Sequence, residues 1–430
     1  MTRYQQELKR ALTGSPETPL VFVCNFEVEE KWAVGHVGLP GPAPAASPVV
    51  RRMEDLGALL AGPDDFLVLS EPLDPDYRAY AEGLGFGLPT VLLADDPALP
   101  DRLAEVARAG GRVLPMGVSE QEQALAQSAG LPLAVPDADV FERVNSKIYS
   151  RTITAEAGLR EVPGHSCTSV GEFADVLASY QLSRENRIVV KDAYGVSGKG
   201  LVVLDSAARA TGLLRMVRRR AERTGDERLH VVVEEWVPKR FDLNYQLTIS
   251  ADGATTFDFV KQALTERGVH KGHLMPAELE PGHVAELRHA TGVIGARLYA
   301  DGFTGVAGID AILGADGTLY PVLEINARLN MSTYQCAVTE IYRRPFALAK
   351  HYTLRLTAAC EFVDVHKAVQ PFDDLVITCF GTVNANAAVE PPFEGRLYVM
   401  LFADSRAGLT ALDTEVTAAL ERLPHCLEVR

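Results

Sequence analysis

The run Val189-Val190-Lys191-Asp192-Ala193-Tyr194-Gly195-Val196-Ser197-Gly198-Lys199-Gly200-Leu201-Val202-Val203 ends one apolar strand on a lysine, turns through glycines, and starts a second apolar strand. Successive backbone N–H groups in such a turn can cradle phosphate oxygens, and the lysine adds a compact positive charge. The segment could close over nucleotide phosphates; a glycine-rich hairpin turn without a ligand has the same form. It is not a P-loop, because Lys199 is followed by Gly200 and not by Ser or Thr. A second constellation lies in Gly305 to Leu313, a turn at Gly314 to Gly317, and Leu319 to Arg328, which read as a hairpin with acids in mid-strand. An unpartnered carboxylate in such a strand is costly. Side chains alternate along a strand, so Glu324 and Asn326 share a face and Asp310 can approach them from the neighbouring strand. Hard oxygen ligands of this kind suit Mg²⁺ shared with substrate phosphates; a sheet with one solvated face would also display Asp, Glu and Asn. In the third feature, Val231 to Pro238, an apolar strand runs into Glu234, Glu235, Trp236 and Val237. Alternating backbone N–H and C=O groups there could meet an adenine edge, and an ordinary strand end explains the segment equally well.

These groups must be held by elements that the same sequence specifies. Leu20 to Cys24, Phe66 to Leu69 and Thr90 to Leu93 are short apolar runs suited to strands buried on both faces, which predicts a small α/β domain over the first 140 or so residues. Gly83, Gly85 and Gly87 lack dinucleotide-fingerprint spacing and precede a strand, so they read as a helix-to-strand turn. The stretch Leu39 to Pro48 reads as a surface loop. A polar helix is expected over Asn145 to Ala157, with Pro163-Gly164-His165 in a turn, and then a strand over Arg187 to Lys191, a basic helix, and a strand over Leu229 to Glu234. Strands predominate from Asn244 to about Asn330, interrupted by a helix near His283 to Tyr299; the last stretch, 351–430, carries no motif.

Composition narrows the function classes. With 430 residues the chain exceeds one ordinary core, and 47% hydrophobic with 23% charged residues is globular. A net charge of −15 opposes attraction to nucleic acid and to anionic membranes, and no run of apolar residues is long enough to span a bilayer. Six cysteines lie scattered without metal-ligand spacing, and the first twenty residues contain no apolar signal region. A cytoplasmic protein with reduced thiols is expected, with no nucleic-acid or membrane partner.

Lys147, Lys191 with its glycine-rich loop, Glu234 to Val237, Asp310 and Glu324-Ile325-Asn326 follow one another in an order and spacing that resemble the ATP-grasp superfamily over about Asn145 to Asn330. The resemblance implies an α/β and α+β multidomain chain. A pre-ATP-grasp α/β domain would occupy 1–143, a two-subdomain ATP-grasp fold 144–350, with the lid at about 144–240 and the metal strands at about 241–350, and a C-terminal extension 351–430. It further implies that Lys147 and Lys191 lie near the phosphates of ATP, with Tyr194, Gly195, Ser197, Gly198 and Gly200 in the covering loop. Glu234, Glu235, Trp236 and Val237 would form the adenine hinge, and Asp242 would meet the ribose. Asp310, Glu324 and Asn326 match the Mg²⁺ ligands, with Mn²⁺ as a substitute ion, and Arg328 in the Glu-Ile-Asn-Ala-Arg run would steady an acyl phosphate. One departure is plain: many members carry an arginine just before the first metal aspartate, whereas this chain has Ala307-Gly308-Ile309. Arg267, His270 and Lys271 are candidates by composition for the missing charge, in a loop that could also be simply solvated.

The implied chemistry is activation of a carboxylate by ATP as an acyl phosphate, followed by attack of an amine. Over its whole length the chain is similar to the peptide ligases of natural-product pathways in this superfamily, the pheganomycin type among them. That similarity implies an amino-acid carboxylate donor and the amine of a peptide or amino acid as acceptor. An L-amino-acid or dipeptide ligase and a non-catalytic ATP-binding module are the alternatives, and the presence of all three metal-ligand matches argues against the last. An acyl-CoA synthetase would need a phosphohistidine loop, and His165 does not supply one. A homodimer is the commonest assembly for a soluble enzyme and is the expectation here.

Overall fold

The computed structural model describes residues 1–41, 47–195, 200–266 and 269–430. Apolar runs flanked by helices produce the first layer. β1 (Leu20–Val23), β2 (Phe66–Leu69), β3 (Thr90–Leu93) and β4 (Arg112–Pro115) form a parallel sheet in the order β3-β2-β1-β4. Leu20, Val21 and Phe22 are buried because helices cover both faces. β4 was not foreseen, since an Arg and a Pro at its ends leave only two apolar residues to signal it.

The second layer is antiparallel. β5 (Gly164–Ser169), β6 (Ile188–Asp192), β7 (Leu201–Leu204) and β8 (Arg228–Glu235) pair in the order β5-β8-β6-β7. The helix Ala207–Thr224 buries Ala210, Leu213, Val217 and Ala221, a helical stripe, and turns its arginines outward. Gly225 ends it in the left-handed conformation, φ 68°. His165, expected in a turn, lies in β5 with its side chain exposed. Pairing with β8 recruits this segment, and the residue before it had to be glycine: a Cβ on Gly164 would stand 2.3 Å from the Val233 carbonyl oxygen.

The largest sheet contains β9 (Lys239–Ile249), β10 (Thr255–Glu266), β11 (Val269–Met275), β12 (Gly305–Gly314), β13 (Leu319–Asn326), β14 (Phe346–Leu356), β15 (Leu375–Cys379) and β16 (Phe393–Ala403), in the order β13-β12-β9-β10-β11-β14-β16-β15, with β17 (Cys426–Val429) on β14. Alternation along β9 sets its two faces. Leu243, Tyr245, Leu247 and Ile249 join the core that includes Leu287, Ile294 and Leu298 of the helix Pro281–Ala300. Asp242, Asn244, Gln246 and Thr248 occupy the opposite face, where the candidate site forms. The last stretch of the chain therefore extends this same sheet, and position 350 falls inside β14.

Two further contacts hold the layers together. The N-terminal domain shares a core with β14 to β17 through Tyr77, Leu354, Phe362, Phe380 and Leu401, and Tyr77 Oη donates to the Thr378 carbonyl at 2.9 Å. Its Val37 to Leu39 segment also reaches the antiparallel layer. The Leu39 N–H donates to Asp192 Oδ1 at 2.6 Å, Arg220 Nη1 to the Gly38 carbonyl at 2.6 Å, and the His230 N–H to the Val37 carbonyl at 2.7 Å. Leu39 packs on the antiparallel layer's core, so the stretch read as a surface loop begins as a bridge; residues 42–46 of it lie outside the described residues.

Candidate active site

The helix Lys147–Glu156 buries Lys147, Ser150, Ile153 and Thr154 along one side. It is tied to β13 because Ser150 Oγ accepts the Ile325 N–H at 3.0 Å, while Asn145 Nδ2 donates to the Ala327 carbonyl at 3.2 Å. That docking brings Lys147 Nζ to 2.7 Å from Glu324 Oε1. The same ammonium donates to the Gly195 carbonyl at 3.1 Å, so one side chain joins the large sheet to the glycine-rich loop. Burial opposes its charge, but Glu324 outweighs burial and its pKa is raised.

Asp310 and Glu324 are register partners on β12 and β13. Asn326 Nδ2 donates to Asp310 Oδ2 at 3.2 Å and Asn244 Nδ2 to Oδ1 at 2.9 Å. Burial and the charge of Glu324 push the Asp310 carboxyl up to about 6. Two acids so placed, with an amide oxygen beside them, present an all-oxygen donor set whose mutual repulsion a divalent cation would relieve. The residues thus fit the Mg²⁺ that the sequence resemblance implies. Among the described residues no group of three or more His, Cys, Asp or Glu forms a denser metal site.

Arg328 leaves the end of β13 and is fixed by several contacts. Its Nε donates to Glu29 Oε1 at 2.6 Å and its Nη2 to Asn326 Oδ1 at 3.1 Å. Asn330 Oδ1 accepts from Nη1 at 3.3 Å, and Asn330 Nδ2 donates to the Arg328 carbonyl at 2.6 Å. The approach to Asp310, which carries no arginine, is crowded at Gly308. A Cβ on Gly308 would lie 2.4 Å from Asn330 Nδ2, so any side chain there would displace the residue that holds the Arg328 loop.

Across the cleft, Lys191 Nζ lies 2.6 Å from Glu234 Oε2, whose other oxygen takes Arg151 at 2.8 Å. Burial disfavours the Glu234 carboxylate, yet Lys191 and Arg151 together hold it below its usual range. Glu234 is thus an internal anchor for Lys191. The N–H groups of Glu235 and Trp236, expected at an adenine hinge, are instead spent on Pro163 and Arg187 at 2.9 Å each, and that of Val237 lies outside these pairs. Asp242 is engaged by Lys239 and Thr265 at the cleft wall.

A cleft of about 260 Å³ gathers Lys147, Lys191, Gly195, Gly200, Asp242, His270, Asp310, Glu324, Asn326 and Arg328. Lys271 lines an adjoining cavity and pairs with Glu266 at 3.5 Å. Tyr194 differs from its expectation: its hydroxyl donates to the Glu142 carbonyl at 3.0 Å and its ring lies 4.3 Å from that of His36, so an apolar body with a satisfied hydroxyl turns away from the cleft. Ser197, Gly198 and Arg267 lie outside the described residues.

Sequence reasoning missed a buried polar layer behind β12 and β9. Ser332 Oγ donates to Asn244 Oδ1 at 2.7 Å, and Lys261 Nζ donates to the Ser332 carbonyl at 2.8 Å and to Gln335 Oε1 at 3.0 Å. Burial pulls the Lys261 pKa down to about 8. Its signal was a lysine amid the apolar residues of β10, which local pattern alone does not connect to a loop seventy-odd residues away.

This architecture matches known proteins. A family model described as the pre-ATP-grasp domain matches residues 55–131. An N5-carboxyaminoimidazole ribonucleotide synthetase in its ADP complex superimposes with a TM-score of 0.57 at 11% identity, covering 93% of this chain and 96% of that one. The chain has the ATP-grasp fold. Another ATP-grasp neighbour is the biotin carboxylase domain of the Hydrogenobacter thermophilus 2-oxoglutarate carboxylase in complex with MgADP, with a TM-score of 0.56 at 12% identity over 96% of this chain and 91% of that chain. In sequence, the [butirosin acyl-carrier protein]–L-glutamate ligase of Niallia circulans is 26% identical over 68% of this chain and 67% of its own length. Among the described residues no helix is long and apolar enough to cross a membrane.

Proposed function

We propose that this ATP-grasp protein is an ATP-dependent carboxylate–amine ligase that forms a peptide bond in natural-product biosynthesis. The observation that carries the reading is the facing pair Asp310 and Glu324, with Asn326 beside it and Lys147 spanning from Glu324 to the glycine-rich loop. ATP phosphorylates an amino-acid carboxylate, ADP leaves, and the amine of a peptide or amino acid attacks the acyl phosphate and releases phosphate. Mg²⁺, when held by Asp310, Glu324 and Asn326, supplies charge neutralisation for the phosphate oxygens. Lys147 and Lys191 bind and orient those oxygens, and Arg328, pinned by Glu29, steadies the transferring group where a side chain at position 308 would displace Asn330. Phosphoryl transfer asks the protein for positioning and charge and needs no covalent nucleophile. The sequence similarity to a glutamate ligase of butirosin assembly supports amino-acid chemistry of the natural-product type.

The deciding experiment is incubation with Mg-ATP, pooled amino acids and hydroxylamine, with the products resolved by mass spectrometry. ADP together with an amino-acid hydroxamate is the expected result and names the donor. AMP formation would overturn the acyl-phosphate mechanism.

A further inference from the structure

A second cavity, of about 370 Å³, adjoins the cleft and shares Glu29, His270, Arg328 and Met331 with it. Its size falls in the range of small-molecule sites. Four parts of the chain build it: the N-terminal domain, the start of β11, the segment after β13, and β14 to β16. Met53, Met331, Tyr334 and Met400 give it an apolar lining, and thioether side chains adapt to differing shapes.

The charged lining is unusual for a chain of net charge −15. It carries Lys271, Arg328, Lys350 and Arg396 against the single acid Glu29. Three of these cations are already matched: Arg328 by Glu29, Lys350 by Asp413 at 2.8 Å, and Lys271 by Glu266 at 3.5 Å. Arg396 makes no ion pair among the described residues. The excess is one positive charge on a planar fork, which suits one carboxylate; a phosphate dianion would remain undercompensated. His351 feels the same field: burial, then Arg396 and Lys271, push its pKa down to about 3, so at neutral pH it adds no charge.

We infer that this cavity holds the amine-bearing substrate and selects an amino acid or short peptide with an apolar side chain and a free carboxylate. The side chain rests on the methionines, the carboxylate faces Arg396, and the amine lies toward the opening at Glu29 and Arg328. The inference rests on the ligase reading and adds to it the class of acceptor.

The test is calorimetric titration of the full chain, first with Mg-ADP and then, in saturating Mg-ADP, with Gly-Leu, Gly-Phe and Gly-Glu as free acids and as C-terminal amides. Gly-Leu and Gly-Phe acids should bind, their amides roughly tenfold or more weakly, and Gly-Glu more weakly than either acid. Arg396→Gln should bring the acids down to the level of the amides. Equal affinity for acid and amide, or no binding of any dipeptide while Mg-ADP binds, overturns the inference and leaves the ligase reading intact. Failure of Mg-ADP itself to bind sinks the ligase reading, and this inference with it. The acid–amide comparison in the unmodified chain stands whether or not Arg396→Gln folds.

Discussion

Lys147 does two jobs at one atom: it neutralises Glu324 on β13 and holds the Gly195 carbonyl of the glycine-rich loop. Glu324→Ala should lower ADP formation at least about a hundredfold, since removing a preorganised charge contact from a transfer site costs on that order. It also strands a buried ammonium, so Glu324→Gln, which keeps an oxygen for Lys147, is the paired variant. Both should raise the Mg²⁺ concentration needed for half-maximal turnover, and turnover with unchanged Mg²⁺ dependence would end the metal assignment. That Asp310, Glu324 and Asn326 come together could be read from the sequence because residue type and two-residue alternation are local properties. Glu29 and Asn330 could not. Glu29 meets Arg328 across 299 positions, and the role of Asn330 appears only when the loop folds back over Gly308.

At the scale of elements, the bridge from Val37 to Leu39 ties the antiparallel layer to the N-terminal domain. Asp192 ends β6 directly after Lys191, and two glycines make room for it: a Cβ on Gly38 would stand 2.7 Å from its Oδ1 and one on Gly200 2.3 Å from its Oδ2. Burial pushes its carboxyl up to about 6, partly offset by the Leu39 N–H. Asp192→Ala removes that acceptor and leaves the Leu39 N–H without it, a loss of about 1–3 kcal/mol. Amide hydrogen exchange in β6 and β7 should then quicken by roughly tenfold or more, while β1 to β4 exchange as before. Uniform acceleration through both sheets would mean that Asp192 supports the whole fold and not the bridge.

The whole molecule is knit by the core that the N-terminal domain shares with β14 to β17. Asp55 sits at that junction, 1% exposed, where its Oδ2 accepts the Gly381 N–H at 3.0 Å and lies 3.5 Å from Arg52. Burial pushes its carboxyl up to about 7 despite Arg52. An unfolded aspartate titrates near 3.9, so between about 4 and 7 the native state holds the extra proton and stability falls as pH rises. Asp55→Asn removes that titratable carboxyl. From about pH 5 to pH 7 the unmodified protein should lose stability relative to the variant by at most about 1.4 kcal/mol per unit, read from urea unfolding at each pH. Parallel pH profiles would show that Asp55 does not titrate in that window.

Motif order along the chain, seen as a family resemblance, was enough to determine the ATP-grasp fold, while the sequence by itself placed Asp310, Glu324 and Asn326 on adjoining strands through residue type and two-residue alternation. Tertiary structure decided the rest. It turned Tyr194 away from the cleft, made Glu234 the anchor of Lys191, and continued one sheet through position 350. It also placed the lone cation of β16 beside methionines from the N-terminal domain and the loop after β13. The physical reason is the same in each case: burial and charge pairing depend on which distant segments meet, and local periodicity carries no record of that.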